Sequence, residues 1–393
     1  MKISNKYLVE ALVFLSYVLF AMAWVGGTAS MSQIMASFDV DSLASASFIS
    51  GAVTFAKIVG TFSAAYLAVK FGIKGAFFVS CLLVAIGLFT PLATDYEMLL
   101  ISRFLMGLGG AFMIVYFNPI VMKWFTPEER PVINGLNAVA FNVGTAIILW
   151  SMSSINVLTG SWKTSLIVFS IATIALGLLW LFVDYEAEAT DTAADSETKP
   201  SVYGYVDGMK DPFNWYYAIC YSGLLAFYIC LFTFYPQAGI VASKWVIGMG
   251  IVGTVAGMIY SKKKPNRIPV IRWSGLIQTI SIIGLSFASD PMLQTASAII
   301  LGFFIFFPVT ALVTIPHELP GMNADKITVV FSLFWSISYL IATVVLWFFG
   351  YIVDQANGDY TQAFIFITVI SSSFFLGSFL LPEPKRTQAV EQE

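Results

Sequence analysis

Two basic residues, Lys57 and Arg103, lie inside long apolar stretches of the sequence. A basic side chain at the centre of a membrane helix costs about 2.5–3.5 kcal/mol, so one that is kept there usually faces water, a partner or a ligand. Lys57 is too deep to reach either end of its stretch easily, and we expect it to bind a substrate or coupling ion, or to pair with a backbone carbonyl. Arg103 lies nearer an end and either contacts a substrate or holds helices together.

The acidic residues are placed differently from this basic pair. None of the 23 Asp and Glu residues falls at the centre of an apolar stretch, and Glu10, Asp184, Asp290 and Asp354 come at the ends. We therefore expect a positively charged cavity that favours an anion, without a titrating carboxylate. A neutral solute stays open, and so does Lys57 as proton carrier, because burial disfavours the charged form of a lysine.

Polar and aromatic side chains in the same stretches are further candidates for binding. Those expected to line a site with Lys57 are Trp24, Tyr116, Asn137, Asn142, Tyr228, Trp335 and Tyr339, with Tyr17, Phe20, Phe306 and Phe331 nearby. Buried Trp and Tyr need a hydrogen-bond partner, which favours them over Phe, although each aromatic residue could simply pack. Asn118-Pro119 and Pro308 are expected to interrupt helices, either as kinks or as breaks that line a cavity.

No group of residues forms a catalytic or metal-binding pattern. The single histidine, His317, has no Cys or carboxylate ligand pattern around it, and no nucleophile, base and orienting acid form a set. The three cysteines fall in apolar stretches, where a thiol simply packs. We expect no enzyme activity, cofactor, metal or disulfide. Nothing basic and aromatic points to nucleic acid.

The apolar stretches that carry these residues are long enough to cross a bilayer. The 393 residues are 58% hydrophobic and 11% charged, and about 20 apolar residues cross the hydrocarbon as a helix. The stretches lack the two-residue alternation of a barrel. We number the twelve predicted spans 1 to 12. They are residues 8–37, 45–68, 75–94, 98–121, 132–157, 162–183, 214–236, 239–260, 269–288, 291–315, 327–353 and 360–381. The predicted fold class is therefore an all-α polytopic membrane protein.

A polar segment divides the spans six and six. Residues 184–211 are rich in Asp, Glu, Ala, Ser and Thr and should form a solvated linker, with 202–209 either a short surface helix or part of the tether. The expected domains are a bundle over 1–183, this linker, a bundle over 212–384 and a tail over 385–393. Most of the 20 Lys and Arg residues fall in even-numbered connections and at the ends, which predicts cytoplasmic termini in a plasma or cytoplasmic membrane.

Several short motifs resemble those of the major facilitator superfamily of secondary transporters, and the resemblance covers essentially the whole chain. Residues 65–74 resemble the basic turn between its second and third helices, with Lys70, Gly72 and Lys74 in matching positions and Val69 where the family has Asp. Weaker matches are residues 103–110 in span 4, 127–130 in the next connection, 160–163, 350–354 and 381–384.

The resemblance implies two six-helix bundles, the MFS fold, with a substrate bound between them near the midplane and moved by rocking of the bundles. It implies that spans 1, 4, 7 and 10 line the cavity and that spans 2, 5, 8 and 11 flank it. Lys70, Gly72, Lys74 and Arg130 are the expected gating residues. Because Val69 replaces the Asp, the usual salt bridge of this gate should be absent or built differently.

The function that these features favour is secondary transport, or facilitated movement, of a small anion by alternating access, with Lys57 as its main charge partner. Residues 141–144 weakly resemble a nitrate/nitrite porter motif, but a wider branch that includes cyanate-like and carboxylate carriers is the better match. The expected partners are the lipid bilayer, a small-molecule substrate and either a coupling ion, H⁺ or Na⁺, or a counter-substrate, for a monomer. Export of amphipathic drug or lipid-like molecules and a non-transporting sensor remain alternatives.

Overall fold

The computed structural model describes residues 2–126, 128–185, 204–263, 266–322 and 324–384. In these ranges nearly all of the chain is helical, and the β-type pairing found there is one bridge between Ile3 and Val183. The helices are α1 Lys6–Ala29, α2 Met31–Ser37, α3 Leu43–Ala46, α4 Phe48–Ala85, α5 Tyr96–Trp124, α6 Arg130–Thr159, α7 Trp162–Leu181, α8 Tyr205–Lys210, α9 Pro212–Phe234, α10 Ser243–Lys263, α11 Ile268–Phe287, α12 Pro291–Phe306, α13 Val309–Glu318, α14 Ala324–Gln355, α15 Thr361–Ser371 and α16 Ser373–Gly377, with a 3₁₀ helix at Ile86–Phe89.

The described residues supply twelve membrane crossings. Ten helical segments are long and apolar enough to cross a bilayer, and the apolar segment Thr361–Gly377 adds the last one. One of the ten, Leu43–Phe89, is 47 residues long and contains two of the predicted spans. Spans 1, 4, 5, 6, 7, 8 and 9 correspond, in that order, to α1, α5, α6, α7, α9, α10 and α11. Span 10 consists of α12 and α13, span 11 is α14, and span 12 consists of α15 and α16.

The long helix α4 reverses its direction at Gly72. The Cα of Gly60 packs on Ala111, while Gly109 packs on the backbone of Ser80. Residues 109 and 111 are about 3 Å apart along a helix, but residues 60 and 80 would be about 30 Å apart if α4 were straight. At Gly72 the backbone has φ 66° and ψ 166°, a conformation that is essentially restricted to glycine. Spans 2 and 3 are therefore the two arms of α4.

Some predicted helix ends differ from those in the structure. Span 1 ends at Ala29, because the backbone of Ser30 leaves the helical region and α2 starts a new direction. Span 10 is interrupted at Pro308, as predicted. At Asn118-Pro119 a break of the helix, one of the two alternatives, is wrong, since α5 continues through Pro119 to Trp124. A membrane helix tolerates proline where neighbouring groups satisfy the freed carbonyl.

Hydrogen bonds and ion pairs join the ends of the spans on one membrane face. Lys6 binds Glu129 at 2.7 Å, between the start of span 1 and the connection after span 4. Arg267, before span 9, binds Glu318 at the end of span 10 at 2.7 Å, and its backbone N–H donates to Glu383, after span 12, at 2.6 Å. We call this face, which carries both ends of the described chain, the terminal face, and the opposite one the distal face.

The end of the linker is a short helix rather than a simple tether. The ring of Tyr205 on α8 packs edge-on against Phe62 of span 2, with centroids 5.3 Å apart. Gly208 lies against the side chains of Val329 and Leu333 of span 11, where a Cβ would come within 2.8 Å of both. Asn214 fixes the helix by donating to the carbonyl of Gly208 at 2.8 Å. The helix thus contacts both halves of the chain, while residues 186–203 lie outside the described ranges.

Candidate functional site

A cavity of about 480 Å³ lies between the two bundles. Its lining comes from spans 1, 2, 4, 5, 7, 10 and 11, so three spans expected only to flank the cavity also face it. The lining residues are Tyr17, Trp24, Lys57, Ile114, Phe117, Asn118, Asn134, Asn137, Ala138, Phe141, Asn142, Tyr221, Leu224, Leu225, Tyr228, Ile229, Phe232, Ile305, Phe306, Val309, Trp335 and Tyr339. Most are aromatic or aliphatic, with asparagines and one lysine among them.

Lys57 is held inside a cage of aromatic rings. Its Nζ lies 5.7 Å from the ring centroid of Tyr17, 5.1 Å from that of Phe20, 5.6 Å from that of Trp24 and 5.5 Å from that of Tyr339. It also donates a hydrogen bond of 3.3 Å to the Tyr17 hydroxyl, and the residue is only 4% exposed. The ion pairs found in the described ranges do not include Lys57. We call these four rings the aromatic cage.

The cage is assembled by helix periodicity and by contact between the bundles. Tyr17, Phe20 and Trp24 are spaced three and four residues apart, so they share one face of α1. The Trp24 indole is fixed by a 2.8 Å hydrogen bond to the Ser50 hydroxyl on span 2. Tyr339 comes from span 11, in the other bundle. The charged group of the first bundle is therefore covered in part by the second.

Span 5 presents a row of asparagines to the cavity. Asn134, Asn137 and Phe141 follow one another at spacings of three and four residues on α6, and Asn142 comes next; all four line the cavity. The Oδ1 of Asn142 accepts a 2.7 Å hydrogen bond from the hydroxyl of Tyr228 on span 7. This bond crosses the boundary between the bundles. Amide groups can donate and accept, so this row suits a ligand that carries hydroxyl or carboxylate oxygens.

Arg103 lies outside the cavity lining and has a structural environment. Its guanidinium donates to the carbonyls of Ile49 at 2.8 Å, Ala23 at 3.0 Å and Trp24 at 2.8 Å, and the residue is 0% exposed. These carbonyls belong to spans 1 and 2. Of the two roles open for Arg103, the geometry corresponds to holding helices together.

Two more sequence candidates also lie away from the lining. Tyr116 sits on a face of α5 turned toward span 2, where its hydroxyl donates to the Ala64 carbonyl at 2.7 Å. Phe331 packs 5.6 Å from the ring of His317 near the terminal face. The other predicted binding residues, Trp24, Lys57, Asn137, Asn142, Tyr228, Trp335 and Tyr339, all line the cavity.

Sequence reasoning missed other lining residues. Phe141 and Tyr221 line the cavity but were not among the binding candidates, and Asn118, which also lines it, was considered only as part of a kink or break. Asn134 was missed as well, although its three-residue spacing from Asn137 would have placed both on one helix face.

The burial of Glu10 was not predicted from its position in the sequence. It lies one turn inside α1, near a helix end as predicted, yet it is only 3% exposed. Its two carboxyl oxygens make no hydrogen bond to any residue that the structure describes. Helix α6 packs along α1 here and covers it. A buried acid is therefore present beside the cavity helices, contrary to the expectation drawn from the acid positions.

The expected gating residues make backbone and ring contacts. Arg130 donates to the carbonyls of Phe125 at 3.0 Å and Met122 at 2.9 Å. Lys70 lies over the Phe71 ring, and the backbone carbonyl of Lys74 accepts from Trp180 at 2.9 Å. Val69, in place of the family's Asp, is 89% exposed. No ion pair found in the described part of the chain includes Lys70, Lys74 or Arg130.

The distal face is closed by contacts between the bundles. Asp354 of span 11 accepts hydrogen bonds from Ser42, Leu43 and Ala44 at the entrance to span 2. Deeper in, the hydroxyls of Thr54 and Thr343 are 2.7 Å apart. Two further pairs, Ser32 with Gln237 and Trp150 with Trp245, close the same face. The cavity is therefore sealed from the distal side.

Comparisons with known proteins identify relatives of this chain. The model of the Major Facilitator Superfamily matches residues 13–343. An uncharacterized protein of Campylobacter jejuni is 31% identical over 228 residues, which cover 58% of this chain and 69% of that protein. The hexuronate transporter of Bacillus subtilis is 24% identical over 264 residues, or 61% of this chain and 62% of that protein.

Solved structures show the same fold. The E. coli xylose transporter XylE, in an inward open conformation, superposes with a TM-score of 0.76 at 12% identity, covering 98% of each chain. The E. coli fucose:proton symporter FucP gives a TM-score of 0.64 at 17% identity, covering 97% of this chain and all of that one. The predicted fold of twelve helices in two bundles is thereby confirmed, and the family consists of transporters rather than enzymes. This chain belongs to the major facilitator superfamily and is a multi-pass membrane transporter.

Proposed function

We propose that this protein moves a small organic anion across the cytoplasmic membrane by alternating access and binds the anion's negative charge at Lys57. The observation that carries the proposal is the charge of the cavity. Lys57 is the charged side chain among the described residues that line it, and no Asp or Glu stands with it there. An anion is the ligand that completes such a site.

The energetics of the aromatic cage support an anionic ligand. Removing an ammonium group from water costs several kcal/mol, and a paired carboxylate normally offsets that cost. A ring face contributes about 0.5–2 kcal/mol to a nearby cation, so the four rings around Lys57 compensate only part of it. A carboxylate that enters beside Nζ would supply the missing charge. Binding would then be strongest for a ligand that carries both negative charge and an apolar or sugar-like face.

The rest of the lining favours an organic anion over a small inorganic one. A volume of about 480 Å³ lies within the range of about 300–1,000 Å³ that is common for sites of organic ligands. Aromatic rings suit the C–H faces of a sugar, and the asparagines of span 5 suit its hydroxyls. The B. subtilis relative is by name a transporter of hexuronate, a sugar carboxylate. We therefore favour a hydroxylated carboxylate as substrate.

The contacts that close the distal face indicate which side of the membrane the cavity serves in this conformation. With the distal face closed by Asp354 and its partners, this conformation would exchange substrate at the terminal face, which we assign to the cytoplasm. Rocking of residues 1–183 against 212–384 would break those contacts and open the distal side. Because the cavity lies between the two bundles of one chain, we propose that a monomer is the functional unit.

The test is exchange of labelled galacturonate by purified protein in liposomes, with galactose as the uncharged match, nitrate as the inorganic anion and a lipophilic cation as the amphipathic competitor. We expect exchange of galacturonate that the other three do not inhibit. Lys57→Ala should lower it at least tenfold, and Lys57→Arg should retain part of it. Lys163→Ala, which removes an exposed lysine at the distal end of span 6, should leave it unchanged.

Other outcomes would reject the proposal in different ways. Equal transport of galactose, or undiminished exchange by Lys57→Ala, would remove the charge-binding role of Lys57. Competition by nitrate alone would indicate an inorganic substrate, and competition by the lipophilic cation alone an exporter of amphiphiles. Melting temperatures measured without ligand would separate lost binding from lost folding in each variant.

A further inference from the structure

We propose that the second bundle has a binding site for the phosphate of an anionic phospholipid at its terminal face, built by Arg272 near the start of span 9 and Phe379 at the end of span 12. The site faces the bilayer rather than the cavity between the bundles, and it is independent of the proposed anion transport. It would give the protein a specific lipid ligand in addition to its substrate.

The guanidinium of Arg272 is held by two contacts that leave most of its donors available. Its Cζ lies 3.9 Å from the ring centroid of Phe379, and its Nε donates a long hydrogen bond of 3.4 Å to the Ser378 hydroxyl. Within the described ranges this is the only hydrogen bond of the guanidinium, which has five N–H groups. The four N–H groups of Nη1 and Nη2 form a fork that matches the oxygens of a phosphate.

The carboxylates at this end of the second bundle do not neutralise Arg272. No ion pair in the described part of the chain includes it. Glu318 binds the side chain of Arg267, and Glu383 accepts the backbone N–H groups of Arg267 at 2.6 Å and Ile268 at 2.8 Å. A ring face offsets only part of the cost of removing a cation from water. An anionic headgroup would supply the charge that these acids do not.

The position of the site in the fold corresponds to the boundary of the bilayer. A Cβ on Gly275 of span 9 would lie 2.8 Å from the Cα of Phe375 on span 12, so the two backbones are in contact there. Arg272 comes three residues before Gly275, and Phe379 four residues after Phe375, which places both about one turn nearer the terminal face. Arg272 is four residues, or about 6 Å, past the start of α11 at Ile268. A lipid phosphate therefore needs no deep insertion to reach it.

The surface that continues from the site into the membrane is apolar. Trp273, Ile280 and Phe287 recur at seven-residue spacing along span 9 and are all exposed, and Leu376 is exposed on span 12. Trp273 is 64% exposed and Phe379 57%, and tryptophan is typical of the interface between membrane and water. Acyl chains would lie along these side chains while the headgroup binds Arg272. This arrangement favours a lipid over a soluble phosphate.

The adjoining segments of the sequence add positive charge. Three lysines occupy positions 262–264, shortly before span 9, and a Lys-Arg pair occupies positions 385–386, after span 12. Clusters of Lys and Arg next to membrane helices attract anionic lipids. We therefore expect these segments to enrich anionic headgroups near the site, while Arg272 and Phe379 fix the position of one phosphate.

The test is lipid binding to the full chain purified in dodecyl maltoside. Phosphatidylglycerol is the anionic lipid, phosphatidylcholine with the same acyl chains is the zwitterionic match, and glycerol phosphate is the soluble competitor that carries the same kind of phosphate. Native mass spectrometry counts the bound lipids, and the rise in melting temperature with lipid concentration gives a second measure of affinity.

The variants separate charge, fork geometry and ring support. They are Arg272→Ala, Arg272→Lys and Phe379→Leu. The matched control is Lys163→Ala, because Lys163 is also a cation over an aromatic ring, 5.7 Å from the centroid of Trp162, but lies on the distal face. Melting temperatures without added lipid separate lost lipid binding from lost folding.

We expect wild type and Lys163→Ala to bind one phosphatidylglycerol at least about tenfold more tightly than phosphatidylcholine, because a guanidinium–phosphate contact is charge-assisted. Arg272→Ala should lose this preference. Arg272→Lys should retain part of it, since an ammonium keeps the charge without the fork. Phe379→Leu should weaken it about threefold, because the guanidinium loses the ring that positions it.

Equal affinity of wild type for the two lipids would overturn the inference, because only the acyl chains would then be recognised. An undiminished preference in folded Arg272→Ala would overturn it as well, and Phe379→Leu with Arg272→Lys decides the matter if Arg272→Ala does not fold. Displacement of phosphatidylglycerol by equimolar glycerol phosphate would identify the occupant as a soluble phosphate instead of a lipid. None of these results would alter the outcome of the galacturonate exchange experiment.

Discussion

The carboxylate of Asp354 accepts a hydrogen bond from the backbone N–H of Leu43 at 2.8 Å, across the boundary between the two bundles. The same carboxylate accepts from the Ala44 N–H at 2.8 Å and the Ser42 hydroxyl at 3.0 Å. Asp354 thus serves as an N-terminal cap supplied by one bundle to a helix of the other. Such a cap exists only while the distal face is closed.

Asp354→Asn should therefore raise the population of the distal-open state. Asn keeps an acceptor oxygen but loses the charge, and hydrogen bonds to charged groups contribute about 1.5–3 kcal/mol each. Loss of one such contribution would shift the equilibrium roughly tenfold or more. The native cysteines are all buried, so a single cysteine at Thr54, beneath the closed face, reports opening through its reaction with a membrane-impermeant maleimide.

Asp359→Asn is the matched control for this cap, because Asp359 is exposed on the same face and caps only its own turn at Thr361. Its labelling rate should equal that of the parent. Equal rates for Asp354→Asn and the parent would show that the cap does not hold the face closed.

Tyr228→Phe should weaken the same closed state from inside the cavity. It removes the hydroxyl that donates to Asn142 at 2.7 Å and keeps the ring. A neutral hydrogen bond contributes about 1 kcal/mol, so labelling at position 54 should rise roughly fivefold. Tyr221→Phe is the control, since Tyr221 lines the cavity without a hydrogen bond to another described residue. A rise with Tyr221→Phe of the same size would point to a general effect of lining hydroxyls.

Arg103→Ala should destabilise the protein without any direct effect on the substrate site. Three carbonyls lose their donor, and breaking a buried network of this kind costs about 3 kcal/mol or more. Arg103→Lys should rescue part of the stability, because one ammonium group cannot reach all three carbonyls. Thermal unfolding in detergent measures the loss. A folded Arg103→Lys protein that has lost anion affinity would instead indicate a role in binding.

Gly109→Ala should lower stability because span 3, the second arm of α4, approaches helix α5 closely there. A Cβ at Gly109 would lie 2.6 Å from the Ser80 carbonyl oxygen and the Val84 nitrogen, which belong to backbone and cannot move aside. Overpacking of this kind costs about 1–3 kcal/mol. Gly248→Ala, where a Cβ meets nothing within 4 Å, should be neutral or stabilising by up to about 1 kcal/mol. Equal unfolding temperatures for both variants would contradict the close approach.

The spans were predictable from the sequence because hydropathy and length decide which segments enter a bilayer. Lys57 could be singled out for the same reason, as a charge inside an apolar stretch. The aromatic cage could not be fully predicted, because Tyr339 reaches Lys57 only through the packing of one bundle on the other. Gating was predicted from motif positions, but the contacts of Lys70 and Arg130 depend on neighbouring carbonyls and rings.

Arg103 and Glu10 show why charge position alone is insufficient. Arg103, like Lys57, is a basic residue inside an apolar stretch. Its environment, however, depends on where the carbonyls of Ala23, Trp24 and Ile49 lie, and no spacing in the sequence specifies their positions. Glu10 looked like a residue at a helix end, and its burial depends on the helix that packs over it. In both cases the determining neighbours are distant in sequence.

The guanidinium of Arg103 also affects how the helices of the first bundle can move. Its hydrogen bonds join the backbones of spans 1 and 2 to span 4. We therefore expect these three helices to move together as one rigid unit. Lys57, the proposed charge partner of the substrate, lies on span 2, and Leu43, whose backbone N–H donates to Asp354, lies on α3, which leads into span 2. Release of the Asp354 cap and displacement of Lys57 would then occur in the same movement of this unit.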